Sequence, residues 1–288
     1  MAGCDESDLP DAMGALSVVN DCGTDLGLDD NIGTQRSKIE NDYESIFSWD
    51  IQRLTGVKLS RISKVRDKLE IITDMEENND VFKFNRFYLQ LIACYELYIS
   101  KSFKESYFEI EMVVKFMETC KLDESKKEEQ YFDAYYHIAL ATIAYIGLTL
   151  KIDSKKLLND IKQINNFNSA EKAAICAVKA RVFMEYSPKG NDIALNFADQ
   201  ARALHPTEPE LIIIWLKAKG RVRRYYDPTE IPGDDEIEAA ESVCSIKSNS
   251  KLIFEASQIY KEVGYIYKTK KNYKESNKFF KLSFDIAK

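Results

Sequence analysis

Five cations fall within eight residues at Lys217, Lys219, Arg221, Arg223 and Arg224, and Trp215, Tyr225 and Tyr226 stand among them. Arginine presents planar, paired donors that match phosphate oxygens, and an aromatic ring offers a face on which an unpaired base can stack. Binding of single-stranded RNA uses that combination. At helical spacing Lys217, Arg221 and Arg224 share one face, while Trp215, Ala218, Val222 and Tyr225 share another. The candidate RNA contacts are therefore Lys217, Arg221 and Arg224 for phosphates, with Trp215 or Tyr225 either stacking on bases or supporting the helix. The same run also reads as a solvated face balanced by Asp227, Glu230, Asp234 and Asp235 downstream.

Other chemistry has little to stand on. Tyr131, Phe132, Tyr135, Tyr136 and His137 could line a groove, but rings at this spacing ordinarily form core, and a lone histidine among them is ordinarily hydrogen-bonded. The six cysteines, Cys4, Cys22, Cys94, Cys120, Cys176 and Cys244, lie far apart and read as reduced thiols. With only His137 and His205 beside them, no metal-ligand spacing emerges. No Gly-rich phosphate loop or nucleophile elbow is present. The expectation is a protein without catalytic residues, metal or cofactor, acting by binding rather than as an enzyme.

The elements that must carry these residues are helices. From Ser37 to Tyr186 there is no proline, and apolar residues recur at three- and four-residue intervals, as in Leu89, Ile92, Ala93, Leu97 and Tyr98. The pattern predicts helices near 38–49, 59–75, 80–100, 103–120, 125–150, 154–164, 169–186, 192–204, 209–226, 234–246, 250–269 and 273–287. Ser154 and Ser169 are candidate N-caps, and Pro209 suits a first turn, where its missing N–H costs nothing. Breakers fall at Ser187 to Gly190, His205 to Thr207 and Asp227 to Gly233.

Within this series Tyr260, Val263, Gly264, Tyr267, Tyr273, Ser276, Phe280 and Ser283 carry the spacing of a tetratricopeptide repeat, a helix-turn-helix unit of about 34 residues. Lys270-Lys271-Asn272 is its turn, and Gly264 is the small residue that lets its paired helices approach. Weaker copies run through Ala194, Ala198, Ala201 and Pro206, with Ala198 where a phenylalanine is usual, and through Ala93, Leu97, Phe103, Ser106, Ile110 and Val113. The expected fold is all-α: tetratricopeptide-like helical-hairpin repeats forming a right-handed superhelix over residues 38–288.

Residues 1–37 differ in kind. The first 35 hold eight carboxylates and no lysine or arginine; the chain's formal charge of −7 less this −8 leaves +1 for the remainder. They also hold five of the eleven glycines and no aromatic residue, which predicts a disordered acidic tail. No run reaches the ~20 apolar residues of a membrane span; the best, Ile138 to Leu150, is broken by Thr142, Tyr145 and Gly147. No secretory signal precedes the tail, so a cytoplasmic location without membrane partners is expected.

The order of these features resembles the N-terminal region of the interferon-induced proteins with tetratricopeptide repeats. Phe47-Ser48-Trp49, the 69–75 segment leading into 89–95, Ala194 to Pro206, Pro209-Glu210 opening a helix that carries Arg221, and Tyr260 to Ser283 keep that family's order from about residue 43 onward. The resemblance implies a non-enzymatic, cytoplasmic, antiviral protein of innate immunity. It implies RNA, including 5′ ends, held on a basic concave helix, with self-association, and it carries over Arg221 alone. The chain departs by stopping where that family continues with a second helical half. A protein-protein scaffold or adaptor taking a protein or peptide ligand, without RNA binding, is the alternative reading. Binding to RNA should weaken steeply with salt, and a peptide in an apolar groove should not.

Overall fold

Helix-period patterning without internal proline leaves the backbone one economical way to satisfy its polar groups, and the chain takes it throughout. The computed structural model describes residues 26–54, 61–75, 83–122, 131–153, 155–245 and 250–287, and among them there is no strand. Among the described residues twelve α-helices follow one another: α1 Leu26–Asp42, α2 Ile62–Met75, α3 Phe84–Ile99, α4 Phe103–Leu122, α5 Phe132–Thr149, α6 Lys155–Asp160, α7 Ser169–Glu185, α8 Gly190–Leu204, α9 Pro209–Tyr226, α10 Asp234–Ser245, α11 Ser250–Thr269 and α12 Tyr273–Ala287. Short 3-10 turns at Ile46–Ser48 and Ile51–Leu54 replace the second half of the predicted opening helix.

Consecutive helices pack as antiparallel pairs, α3 with α4, α7 with α8 and α11 with α12 among the most extensive. In the last pair Ser283 Oγ donates to the Ser257 carbonyl at 3.0 Å. Nearer the turn, a Cβ on Gly264 would lie 2.8 Å from the Phe280 ring, so the predicted close approach is present. In α3 and α4, Ser106 Oγ donates to the Cys94 carbonyl at 2.8 Å, and Lys101 turns the chain with φ 66°.

Alternate helices stack in parallel. Arg221 reaches the Met184 carbonyl from α9 to α7, 37 residues back, and Arg224 reaches Glu262 from α9 to α11, 38 residues ahead. The near-constant offset lays α7, α9 and α11 side by side in the same direction. The core runs continuously through this stack, and α5 is enclosed from Ile138 to Leu148.

Two expectations change. α1 begins inside the segment whose composition predicts disorder: residues 26–37 are helical, because Ile39 is fully buried and Arg36 donates to Thr149 Oγ1 at 3.0 Å, fastening the helix to α5. Tertiary contact outweighs composition there, and residues 1–25 lie outside the described residues. The cap of α7 is Asn168 rather than Ser169: Asn168 Oδ1 accepts from the Glu171 N–H at 2.8 Å, and Glu171 accepts from the Asn168 N–H at 2.7 Å. Ser154 lies outside the described residues.

Candidate functional site

Pro209 opens α9 in its first turn, and the run from Leu211 to Leu216 is buried, which fixes the helix's rotation and hence where its cations point. Trp215 is 3% exposed; its indole N–H donates to Asp199 at 2.7 Å and the Arg202 guanidinium lies 4.0 Å over its ring. No base can stack on that ring, so of the two roles open to Trp215 the structure gives it the supporting one. Tyr225 is exposed and leans edge-on against Tyr226 with centroids 5.2 Å apart.

The basic stripe is turned onto neighbouring helices. Lys217 Nζ lies 2.7 Å from Glu255, Arg224 lies 2.8 Å from Glu262, and Arg221 donates to the Met184 carbonyl. Lys217 and Arg221 are half-buried, while Arg224 is the most open of the three. Burial, reinforced by repulsion from Arg181, lowers the pKa of Lys217, and Glu255 opposes that shift. The remaining cations are bound as well: Lys219 pairs with Asp235, and Arg223 reaches Glu236 at 3.2 Å and Glu262 at 2.9 Å. Gly220 makes room for them, since a Cβ there would lie 3.0 Å from Arg224 Nη1.

The Lys217–Glu255, Arg223–Glu262 and Arg224–Glu262 pairs build a seam between α9 and α11 along which three clefts adjoin. The first, about 190 Å³, is bounded by Phe84 of α3, Arg181 of α7, Ile213 and Lys217 of α9, and Leu252 and Glu255 of α11. It shares Lys217 and Glu255 with a second of about 160 Å³, which shares Arg224 and Glu262 with a third of about 400 Å³ ending at Tyr265 and Thr269. The helix spacing of the sequence puts Lys217, Arg221 and Arg224 on one face of α9; in the structure Lys217 and Arg224 turn to α11, whereas Arg221 turns to α7. It missed Arg181, Glu255 and Glu262, which an offset of 37 to 38 residues between parallel helices would have projected onto them.

Elsewhere, Tyr131, Phe132, Tyr135 and His137 are core side chains, with Tyr136 half-buried. His137 Nε2 accepts the Glu44 N–H at 3.2 Å, and burial, partly offset by Glu171, lowers its pKa to about 4. Burial pushes the Cys94 thiol up to about 12. Among the described residues no group of His, Cys, Asp and Glu is arranged to hold a metal ion, and no helix is long and apolar enough to cross a membrane. Chemically, the seam can bind and exchange ion-pair partners. No protein-family model matches this chain, and no curated protein matches it.

Proposed function

We propose that this chain is a non-catalytic scaffold of tetratricopeptide type, a right-handed stack of helical hairpins that holds a protein segment along the seam between α9 and α11. The observation that carries this reading is the pairing of Lys217 and Arg224 with Glu255 and Glu262 beside three adjoining clefts. A wall whose cations already have carboxylate partners repels a continuous polyanion with the same glutamates that it offers to a peptide's N–H groups and cations. The apolar side chains between them, Ile213, Leu216 and Ile259, suit side chains of an extended or helical segment. RNA, the ligand that the family resemblance implies, would have to displace Glu255 and Glu262 from the phosphate-binding candidates.

Salt separates the two ligands. A fluorescent random-sequence peptide pool should lose no more than a few-fold in retention by the full chain between 50 and 200 mM salt, since its few ion pairs exchange for resident ones. An RNA strand neutralised at three phosphates would lose about twentyfold in affinity over that range. Steeply salt-dependent RNA retention that disappears in Arg221→Glu with Arg224→Glu, without peptide retention, would overturn the scaffold reading.

A further inference from the structure

Away from the seam, a further cleft of about 570 Å³ opens between α4, α5, α6 and the start of α7, and it shares no bordering residue with the other three. Its floor is apolar: Leu140, Ile161 and Phe167 are buried and Leu157 is half-buried. A concave site of this size, apolar with a few placed polar groups, suits a small molecule. His137 supplies the polar group of its wall. An amide N–H can only donate, so the bond from Glu44 requires Nε2 of His137 to be bare. Burial lowers the pKa of His137 to about 4, so the ring is neutral at pH 7 and its one proton sits on Nδ1. That N–H has no acceptor among the described residues and is not sealed in, since the ring borders the cleft. Phe167, edge-on with centroids 4.7 Å apart, and Tyr43 on another side brace the ring.

The surroundings select what this donor can meet. Lys162 Nζ is held by both oxygens of Glu171, at 2.9 and 2.8 Å, and Glu171 acts on His137 more strongly than Lys162 does. A carboxylate reaching the ring is therefore repelled by Glu171 more than Lys162 attracts it, whereas a neutral carbonyl is not. At the mouth, Lys121 and Glu118 both engage Tyr136, the one 5.0 Å over its ring and the other accepting from its hydroxyl at 3.3 Å, so their charges offset. Asp133 borders the same mouth one helical turn before His137; it is exposed and has no ion-pair partner among the described residues. It suits a cation at the outer end of a ligand.

We propose that this cleft binds a small molecule with an aromatic or aliphatic body, a neutral amide-type carbonyl that accepts from His137 Nδ1–H, and a cationic group turned to Asp133. The site goes beyond the seam reading and holds whichever ligand the seam takes.

His137 and His205 are the only histidines, so NMR of the full chain with isotopic nitrogen in histidine shows two rings, and His205→Asn assigns them. At pH 7 His137 should carry its proton on Nδ1; a proton on Nε2 overturns the proposal before any ligand is added. The probe para-(aminomethyl)benzamide combines ring, carbonyl and cation. It should shift the His137 Nδ1 resonance saturably and bind about fivefold more tightly than benzylamine, which lacks the carbonyl, the size expected of one neutral hydrogen bond net of exchanged solvent. The anionic counterpart, para-(aminomethyl)benzoate, should bind no better than benzylamine. Asp133→Asn should weaken the benzamide a few-fold at an unchanged melting temperature, and Leu157→Trp, which fills the cleft, should abolish the shift while the Nδ1 proton stays in place. No saturable shift, equal affinity for the three probes, tightest binding by the benzoate, or a shift that survives Leu157→Trp each overturns the site. Full affinity in Asp133→Asn overturns the placement of the cation. If Leu157→Trp loses the fold, the probe ranking and Asp133→Asn decide.

Discussion

Helices α7 and α8 meet through alanines, whereas α9 and α11 meet through charges. Ala173, Ala177 and Ala180 on one side and Ala194, Ala198 and Ala201 on the other are fully enclosed. Across the α9–α11 seam the contacts are Lys217–Glu255, Arg223–Glu262 and Arg224–Glu262. An alanine contact offers a ligand nothing to exchange, because small apolar groups packed at crystal-like density have one arrangement. An ion-paired contact is replaceable in kind, since an incoming carboxylate or cation can take the place of the resident one. On the proposed scaffold reading, the first pair supplies rigidity and the second recognition.

The centre of the seam should be the most costly place to break. Arg223 is 6% exposed and Glu236 is 1% exposed. Arg223→Met strands Glu236 and part of Glu262 without a counter-charge, and loss of one partner of a buried pair costs about 3–5 kcal/mol. Urea unfolding should show that loss. A change below about 1 kcal/mol would mean that water already reaches the cluster, and the distinction between a buried hub and an exchangeable rim would go with it.

On the alanine side the vulnerable point is Gly190, where α8 leaves the turn from α7. A Cβ there would lie 2.2 Å from the Phe183 carbonyl oxygen and 3.1 Å from its carbon, both backbone atoms that cannot rotate away. Gly190→Ala is expected to cost about 3 kcal/mol in denaturant unfolding, near the upper end for overpacking. A near-neutral result would show that the pair slides apart freely, and the rigid side of the comparison would lose its basis.

How much of this was readable beforehand follows the range of each interaction. Helix-period contacts are local, so the helices, the Gly264 approach to Phe280 and the shared face of Lys217, Arg221 and Arg224 are visible in the chain itself. The partners of that face are not, because Glu255, Glu262 and Arg181 come from other helices and become neighbours only through parallel stacking. The same limit explains Trp215, whose aromatic stripe was legible but whose enclosure depends on Asp199 and Arg202 of α8. α1 was missed for a related reason: its composition is that of a tail, and only the contact of Arg36 and Ile39 with α5 makes it part of the fold.

Acid should separate the two regions further. His137, on the apolar side of the stack, has its pKa lowered to about 4 from 6.5 by burial. The unfolded chain therefore binds the extra proton between those values, so stability falls as pH drops from about 6.5 to 4 and levels off below. The full shift corresponds to about 3 kcal/mol, of which solvent access to a ring 6% exposed leaves about two-thirds or more. His137→Gln keeps an acceptor for the Glu44 N–H and should remove this slope. The difference in unfolding free energy between the two proteins, measured from pH 7 to 4, cancels the carboxylates they share. A constant difference across that range would show that His137 does not titrate differently in the fold.

The mildest expected effect lies at Gly264, and it tests whether close approach alone makes a pair rigid. A Cβ there would meet Phe280 Cδ1 at 2.8 Å and Cε1 at 2.9 Å, but these are ring atoms of a half-buried side chain whose other neighbour is Tyr265, with centroids 5.0 Å apart. Tyr265 is itself 54% exposed, so the ring has room to tilt toward solvent. Gly264→Ala should therefore cost about 1 kcal/mol, well below Gly190→Ala, because a side chain yields where a carbonyl does not. Tilting Phe280 also moves Tyr265, which borders the third cleft. The variant should thus weaken peptide retention at the far end of the seam by a few-fold while leaving the first cleft unchanged. Equal costs at Gly264 and Gly190 would make the two hairpins mechanically alike, and only the charges would then distinguish the binding region from the rest of the stack.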